Sequence, residues 1–130
     1  MVRVYSERLL EHFRNPRNVG ELPAPAVTVQ VSNPACGDIL RLSVRFEGEA
    51  VAEVRFKVRG CTASIALGSA LTEWMLGQTR ATLAALRPAT LAEAVGGLRP
   101  ESGHAAALCV QAVNAVLRLA QAGSGVEPLR

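Results

Sequence analysis

Residues 54–77, Val-Arg-Phe-Lys-Val-Arg-Gly-Cys-Thr-Ala-Ser-Ile-Ala-Leu-Gly-Ser-Ala-Leu-Thr-Glu-Trp-Met-Leu-Gly, change hydrophobic period in mid-run. Val54, Phe56 and Val58 alternate with Arg55, Lys57 and Arg59, as a half-buried strand requires. Gly60 breaks that alternation, and from Thr62 to about Gly77 the period is helical. Cys61 therefore stands where a strand hands over to a helix N-terminus, whose unpaired N–H groups and dipole favour negative charge. A thiol placed so is suited to binding metal or carrying sulfur. A small buried hydrophobe uses the same residue type, and Cys61 alone does not choose between them.

The rest of the chain supplies partners for that strand and helix. Residues 4–13 read as a short amphipathic helix with Ser6 as N-cap and Leu9, Leu10 and Phe13 inward. His12 lies among charged residues and reads as solvated. Asn15-Pro16-Arg17-Asn18-Val19-Gly20 stops the helix, and Pro23 and Pro25 continue a loop. Val27, Val29 and Val31 form a first strand, and Leu40, Leu42, Val44 and Phe46 a second. A turn at Glu47-Gly48-Glu49 leads into the third, Val51–Arg59. The outward positions gather Arg41, Arg45, Arg55, Lys57 and Arg59 with Glu53: a solvated sheet face or a docking surface for an acidic partner.

Two short segments follow, at about 79–86 and 90–95, broken by Pro88. A last helix runs from about Ser102 to Ala122, with a solvent stripe of Gln111, Asn114, Arg118 and Gln121. The expected architecture is α+β: a three-stranded antiparallel sheet with helices packed on one face. Residues 1–122 form a single domain in this reading, with 123–130 as a flexible tail.

Composition narrows the function. At 130 residues the chain has room for one real core but not two. A formal charge of +3 with one Trp, one Tyr and three Phe leaves few platforms for stacking bases, which argues against nucleic acid. Arg3, Glu7, Arg8 and Glu11 interrupt any apolar N-terminal run, so no signal peptide is expected. The apolar segment 105–117 contains Gln111 and Asn114 and reads as too short to span a membrane. The expected location is cytoplasmic, where three cysteines are free thiols rather than a disulfide framework. No phosphate loop, Ser/His/Asp spacing or paired carboxylates argue for an enzyme.

Between the first two strands lies Asn33-Pro34-Ala35-Cys36-Gly37-Asp38. Pro and Gly bracket Cys36 in a tight loop, and Gly37 gives the backbone freedom to turn Cys36 and Asp38 toward a common point.

With these residues in hand, nearly the whole chain resembles the NifU/IscU-type iron–sulfur cluster assembly scaffolds. The likeness runs through Tyr5-Ser6, His12-Phe13-Arg14-Asn15-Pro16-Arg17-Asn18-Val19-Gly20, and Pro34-Ala35-Cys36-Gly37-Asp38. It continues in Phe56-Lys57, Gly60-Cys61, and the helix with Ser69, Thr72, Glu73 and Trp74. The resemblance implies a non-enzymatic scaffold that builds and transfers a [2Fe-2S] cluster, with a cysteine desulfurase and recipient apo-proteins as partners. Cys36 and Cys61 become sulfur acceptors and thiolate ligands, Asp38 a harder, more labile ligand, and His104 a fourth ligand or proton donor.

The chain departs from that family at the third cysteine. Its His-Cys pair falls here on His104-Ala105. Cys109 stands one helical turn further, about 6 Å along the axis, on nearly the same core-facing side. It reads as buried packing, and as a ligand only if the helix start shifts. The set Cys36, Asp38, Cys61 and His104 remains and would suit zinc as well. The segment before His104 lacks the Leu-Pro-Pro-Val-Lys stretch that a dedicated chaperone reads in some members. The long insertion of the zinc-bearing SufU branch is not evident. Two further readings stand beside the scaffold. One is a zinc-bound sulfur acceptor or desulfurase activator. The other is an interaction module without cluster chemistry that binds a desulfurase or a second copy of itself.

Overall fold

The computed structural model describes residues 5–34 and 37–122; Cys36 and the segment 123–130 lie outside the described residues. Its elements are α1 (Glu7–Arg14), β1 (Val27–Ser32), β2 (Ile39–Glu47), β3 (Ala50–Arg59), α2 (Thr62–Met75), α3 (Arg80–Ala84), α4 (Pro88–Ala94) and α5 (Gly103–Ala122). A single 3-10 turn, Pro100–Ser102, leads into α5. The strands form one antiparallel sheet in the order β1-β2-β3, and the fold is α+β.

The alternation seen in the sequence sets the register. Val31 pairs with Leu40, Val29 with Leu42 and Leu42 with Phe56, so apolar side chains share one face. That face carries the core: α2 packs on β3, α5 lies across β1 and β2, and α1 packs on α2. Sandwiched in this way, α2 buries Ala63 and Ser64 and then, past the half-buried Ile65, every residue from Ala66 to Thr72. Its small residues let neighbours approach; a Cβ on Gly68 would sit 2.5 Å from the Phe56 ring. The opposite face of the sheet is tied by ion pairs, one to the loop before β1 and one between β2 and β3. Arg41 meets Glu21 at 2.7 Å and Arg45 meets Glu53 at 2.7 Å, while Lys57 and Arg59 stay exposed.

Several local expectations change. Ser6 does cap α1, accepting from the Leu9 N–H, but Phe13 is 37% exposed rather than inward. His12 is packed rather than solvated: its Nδ1 lies 2.7 Å from the Ser69 hydroxyl and its Nε2 lies 3.6 Å from Glu73. The Asn15–Gly20 stretch is not merely a loop. Gly20 donates to the Phe56 carbonyl at 2.9 Å and Phe56 donates to the Asn18 carbonyl at 2.9 Å, so it covers the β3 edge. Pro88 opens α4 at its first turn instead of interrupting a helix, because its missing N–H is not needed there.

The apolar C-terminal run is also longer than residues 105–117. Pro100–Gln121 is the one helix among the described residues long and apolar enough to cross a membrane by length and composition. Half of its most apolar window is buried inside the fold, where Ala105, Cys109, Ala112 and Val116 face the core. Gln111, Asn114, Arg118 and Gln121 line the exposed side, as their spacing predicts.

Candidate functional site

Three elements end at one place. The β1–β2 loop closes on itself through Asn33, which donates to the Asp38 carbonyl at 2.9 Å, and Asp38 then enters β2. β3 ends at Arg59, whose Cα partner on β2 is Ile39, so Gly60 and Cys61 emerge beside Asp38. The start of α5 brings in His104. Sheet register alone thus places the Asp38 and Cys61 segments together, although 23 positions separate them in the chain.

Asp38, Cys61 and His104 each offer a ligand atom, and the three atoms lie within 4.8 Å of one another. Cys61 Sγ is 3.5 Å from Asp38 Oδ2, and His104 Nε2 is 3.8 Å from the same oxygen. Asp38 is buried, Cys61 exposed and His104 half-buried, so the group opens to solvent on the thiol side. Four donors around a zinc-sized ion, 2.0–2.3 Å from it, stand about 3.3–3.8 Å apart. The two contacts of Asp38 Oδ2 fall in that range. Asp38 thus stands at ligand spacing from both neighbours. The group as a whole spans up to 4.8 Å, so a tetrahedral ion would draw the thiol and imidazole closer together. The set offers a soft thiolate, a borderline imidazole and a hard carboxylate.

Cys61 is the N-cap residue of α2, with φ −76° and ψ 171°. Its side chain makes no capping hydrogen bond to the helix. The thiol points instead to the carboxylate and to the Ser64 hydroxyl, 3.4 Å away. Gly60 must be glycine here, because a Cβ would lie 2.7 Å from both Cγ and Oδ1 of Asp38.

Cys109 is not brought to this group. It is buried in the core, and burial pushes its thiol up to about 12. Ala105, which the resemblance sets against the third cysteine, is also buried. Cys36 lies outside the described residues, two positions before Asp38 in the chain.

Ser64 and Gly60 are the site residues whose roles the sequence did not disclose. Ser64 is 3% exposed and donates its hydroxyl hydrogen to Asp38 Oδ2. A signal was present: Cys61 and Ser64 are three apart at a helix start, which sets them on one side of the first turn.

Comparison with known proteins identifies the family and the fold. Residues 4–121 match the family described as NifU-like N terminal domain. The chain is similar to the iron–sulfur cluster assembly scaffold protein IscU of Azotobacter vinelandii, 38% identical over 118 residues that cover 88% of this chain and 91% of that protein. It is 35% identical to Escherichia coli K12 IscU over 117 residues, 87% of this chain and 91% of the relative. Among solved structures, a candidate SUF-system cluster assembly scaffold from Fervidobacterium islandicum AW-1 shares the fold. It superposes with a TM-score of 0.73 at 18% identity, over 88% of this chain and 96% of the other. With the family match spanning nearly all of the chain, the protein belongs to the NifU-like N-terminal domain family.

Proposed function

We propose that this protein is a scaffold on which an iron–sulfur cluster, of the [2Fe-2S] type, is assembled and from which it is passed to recipient apo-proteins. The observation that carries the reading is the convergence of Asp38, Cys61 and His104, whose ligand atoms lie within 4.8 Å of one another. Cys36, two residues from Asp38 in the family's Cys-Gly-Asp motif, would complete the set. The cluster is cargo, and the protein is a carrier rather than an enzyme. Sulfur would come from a cysteine desulfurase. The Cys61 thiolate is exposed enough to attack the outer sulfur of a donor persulfide, forming a persulfide on Cys61 and releasing the donor thiol. A reducing cytoplasm suits these free thiols. A carboxylate among the ligands suits release, because it holds iron less firmly than a thiolate does.

A second reading is favoured by one observation. Cys109 is buried in the core, and the resemblance sets Ala105 where a thiol would stand, which leaves Cys36 and Cys61 as the thiolate donors of this reading. Two thiolates, a carboxylate and an imidazole suit one zinc ion, in a protein that accepts sulfur from a desulfurase or activates it.

Metal and acid-labile sulfide content of protein purified without oxygen separates the two. Iron and sulfide in near-equal amounts, lost in Cys36→Ala and Cys61→Ala, support the scaffold. One zinc per chain without sulfide selects the second reading. Neither metal bound, with an intact desulfurase response in the double variant, would leave an interaction module only.

A further inference from the structure

We propose that Ser64 is a positioning residue for the metal-facing oxygen of Asp38, an inference that rests on the metal reading above. Three groups converge on Oδ2 of Asp38: the Cys61 thiol at 3.5 Å, His104 Nε2 at 3.8 Å and the Ser64 hydroxyl. The first two are ligand candidates. Ser64 is not among them; it stands in the first turn of α2, and its hydroxyl supplies one hydrogen that goes to Oδ2.

The clamp has two sides. Asp38 is buried, and the last torsion of a carboxylate side chain is intrinsically broad, so its oxygens need neighbours to fix them. Ser64 is fixed by the helix backbone and is 3% exposed, so its hydroxyl holds Oδ2 from a rigid element. The Gly60 backbone closes the other side, leaving no room for even a Cβ against Oδ1. A carboxylate oxygen has two lone pairs. With one occupied by Ser64, the other remains for a metal between Cys61 and His104, and the carboxylate is held to one-oxygen binding. The cysteine sulfur, 3.4 Å from the same hydroxyl, is its alternative acceptor when Oδ2 is displaced.

Cobalt(II) alone is the probe, because thiolate-to-cobalt absorption and ligand-field bands report geometry as well as binding. Affinity is read by competition with a chromogenic chelator. Ser64→Ala is expected to weaken cobalt binding by about 10–100-fold, the usual loss when an outer-sphere partner is removed. Ser64→Thr, which keeps the hydroxyl, should retain most of the affinity. In an Asp38→Ala background, Ser64→Ala should have no further effect, because Ser64 acts through the carboxylate.

Affinity of Ser64→Ala within about 2-fold of wild type, well inside the expected loss, overturns the positioning role while leaving the metal site intact. An equal loss in both backgrounds overturns it too, since the effect would then be structural. A wild type that binds no cobalt overturns the metal reading and this one with it. Should Ser64→Ala fail to fold, Ser64→Val set against Ser64→Thr makes the same comparison at matched volume, and equal cobalt affinity of the two overturns the proposal.

Discussion

Cys61 and Cys109 carry one side chain in opposite settings. Cys61 stands exposed at a helix start beside a carboxylate and a hydroxyl, whereas Cys109 is enclosed by the core, and burial raises its thiol to about 12. The nucleophile is the thiolate, so at pH 8 Cys109 should resist iodoacetamide while Cys61 is alkylated. Peptide mass spectrometry after native and denatured labelling reads this directly; modification of Cys109 at the rate of Cys61 would contradict it. Cys109→Ala should correspondingly leave cobalt affinity unchanged. Cys61 could be singled out in the sequence because the period change around it is local. The burial of Cys109 was also foreseeable, from its place opposite the polar stripe of α5. The role of Ser64 was not legible, because it depends on an Asp that arrives from another strand.

At the level of elements, α1 is latched to α2 through a polar cluster that sequence pattern could not assemble. His12 Nδ1 meets Ser69, which also accepts from the Arg17 N–H at 2.9 Å, while Asn18 donates to Thr72 at 3.0 Å. Burial holds the His12 pKa below its ordinary value and the Arg17 guanidinium adds to this; Glu73 and Glu11 oppose but do not overcome it. With the folded value below the unfolded one, the unfolded chain binds the proton first. This contribution to stability is full above about pH 6.5 and is lost as pH falls through the folded value. Urea midpoints at pH 7.5 and 5.5 should drop more for wild type than for His12→Gln; equal slopes would remove His12 as the cause. The α2–β3 contact gives a second test. Gly68→Ala gains about 1 kcal/mol of helix propensity but drives a methyl into the Phe56 ring, and overpacking costs about 1–3 kcal/mol. Net destabilisation of about 1 kcal/mol is expected in urea unfolding, and a more stable variant would show that the ring gives way freely.

For the whole molecule, the candidate ligands come from the start of β2, the N-terminus of α2 and the start of α5. An ion held there adds a staple across three elements, two of which also meet through the Ser64–Asp38 hydrogen bond. A ligand that binds only the native state stabilises it by RT ln(1 + [L]/Kd), about 2.7 kcal/mol at a hundredfold excess over Kd. Zinc or cobalt should therefore raise the melting temperature by on the order of 5–10 °C for a domain of this size. Chelator should reverse the gain, and Asp38→Ala should show little of it. A metal-insensitive melt of the wild type would argue against a site assembled across the three elements.

The sequence by itself determined the elements that rest on local periodicity. Val27–Val31, Leu40–Phe46 and Val54–Val58 alternate, so their strands and inward faces follow from the two-residue repeat of a strand. The polar stripe of α5 and the break at Gly60 follow in the same way. Tertiary structure decided what rests on distance through space rather than along the chain. Phe13 turned outward and His12 inward because α2 presents Ser69 and Glu73 to α1. Asn18–Gly20 became an edge of the sheet because the β3 backbone had groups to pair. The convergence of Asp38, Cys61, Ser64 and His104 required the sheet register, the α2 cap and the start of α5 together, and no periodicity in a single segment encodes where three segments meet.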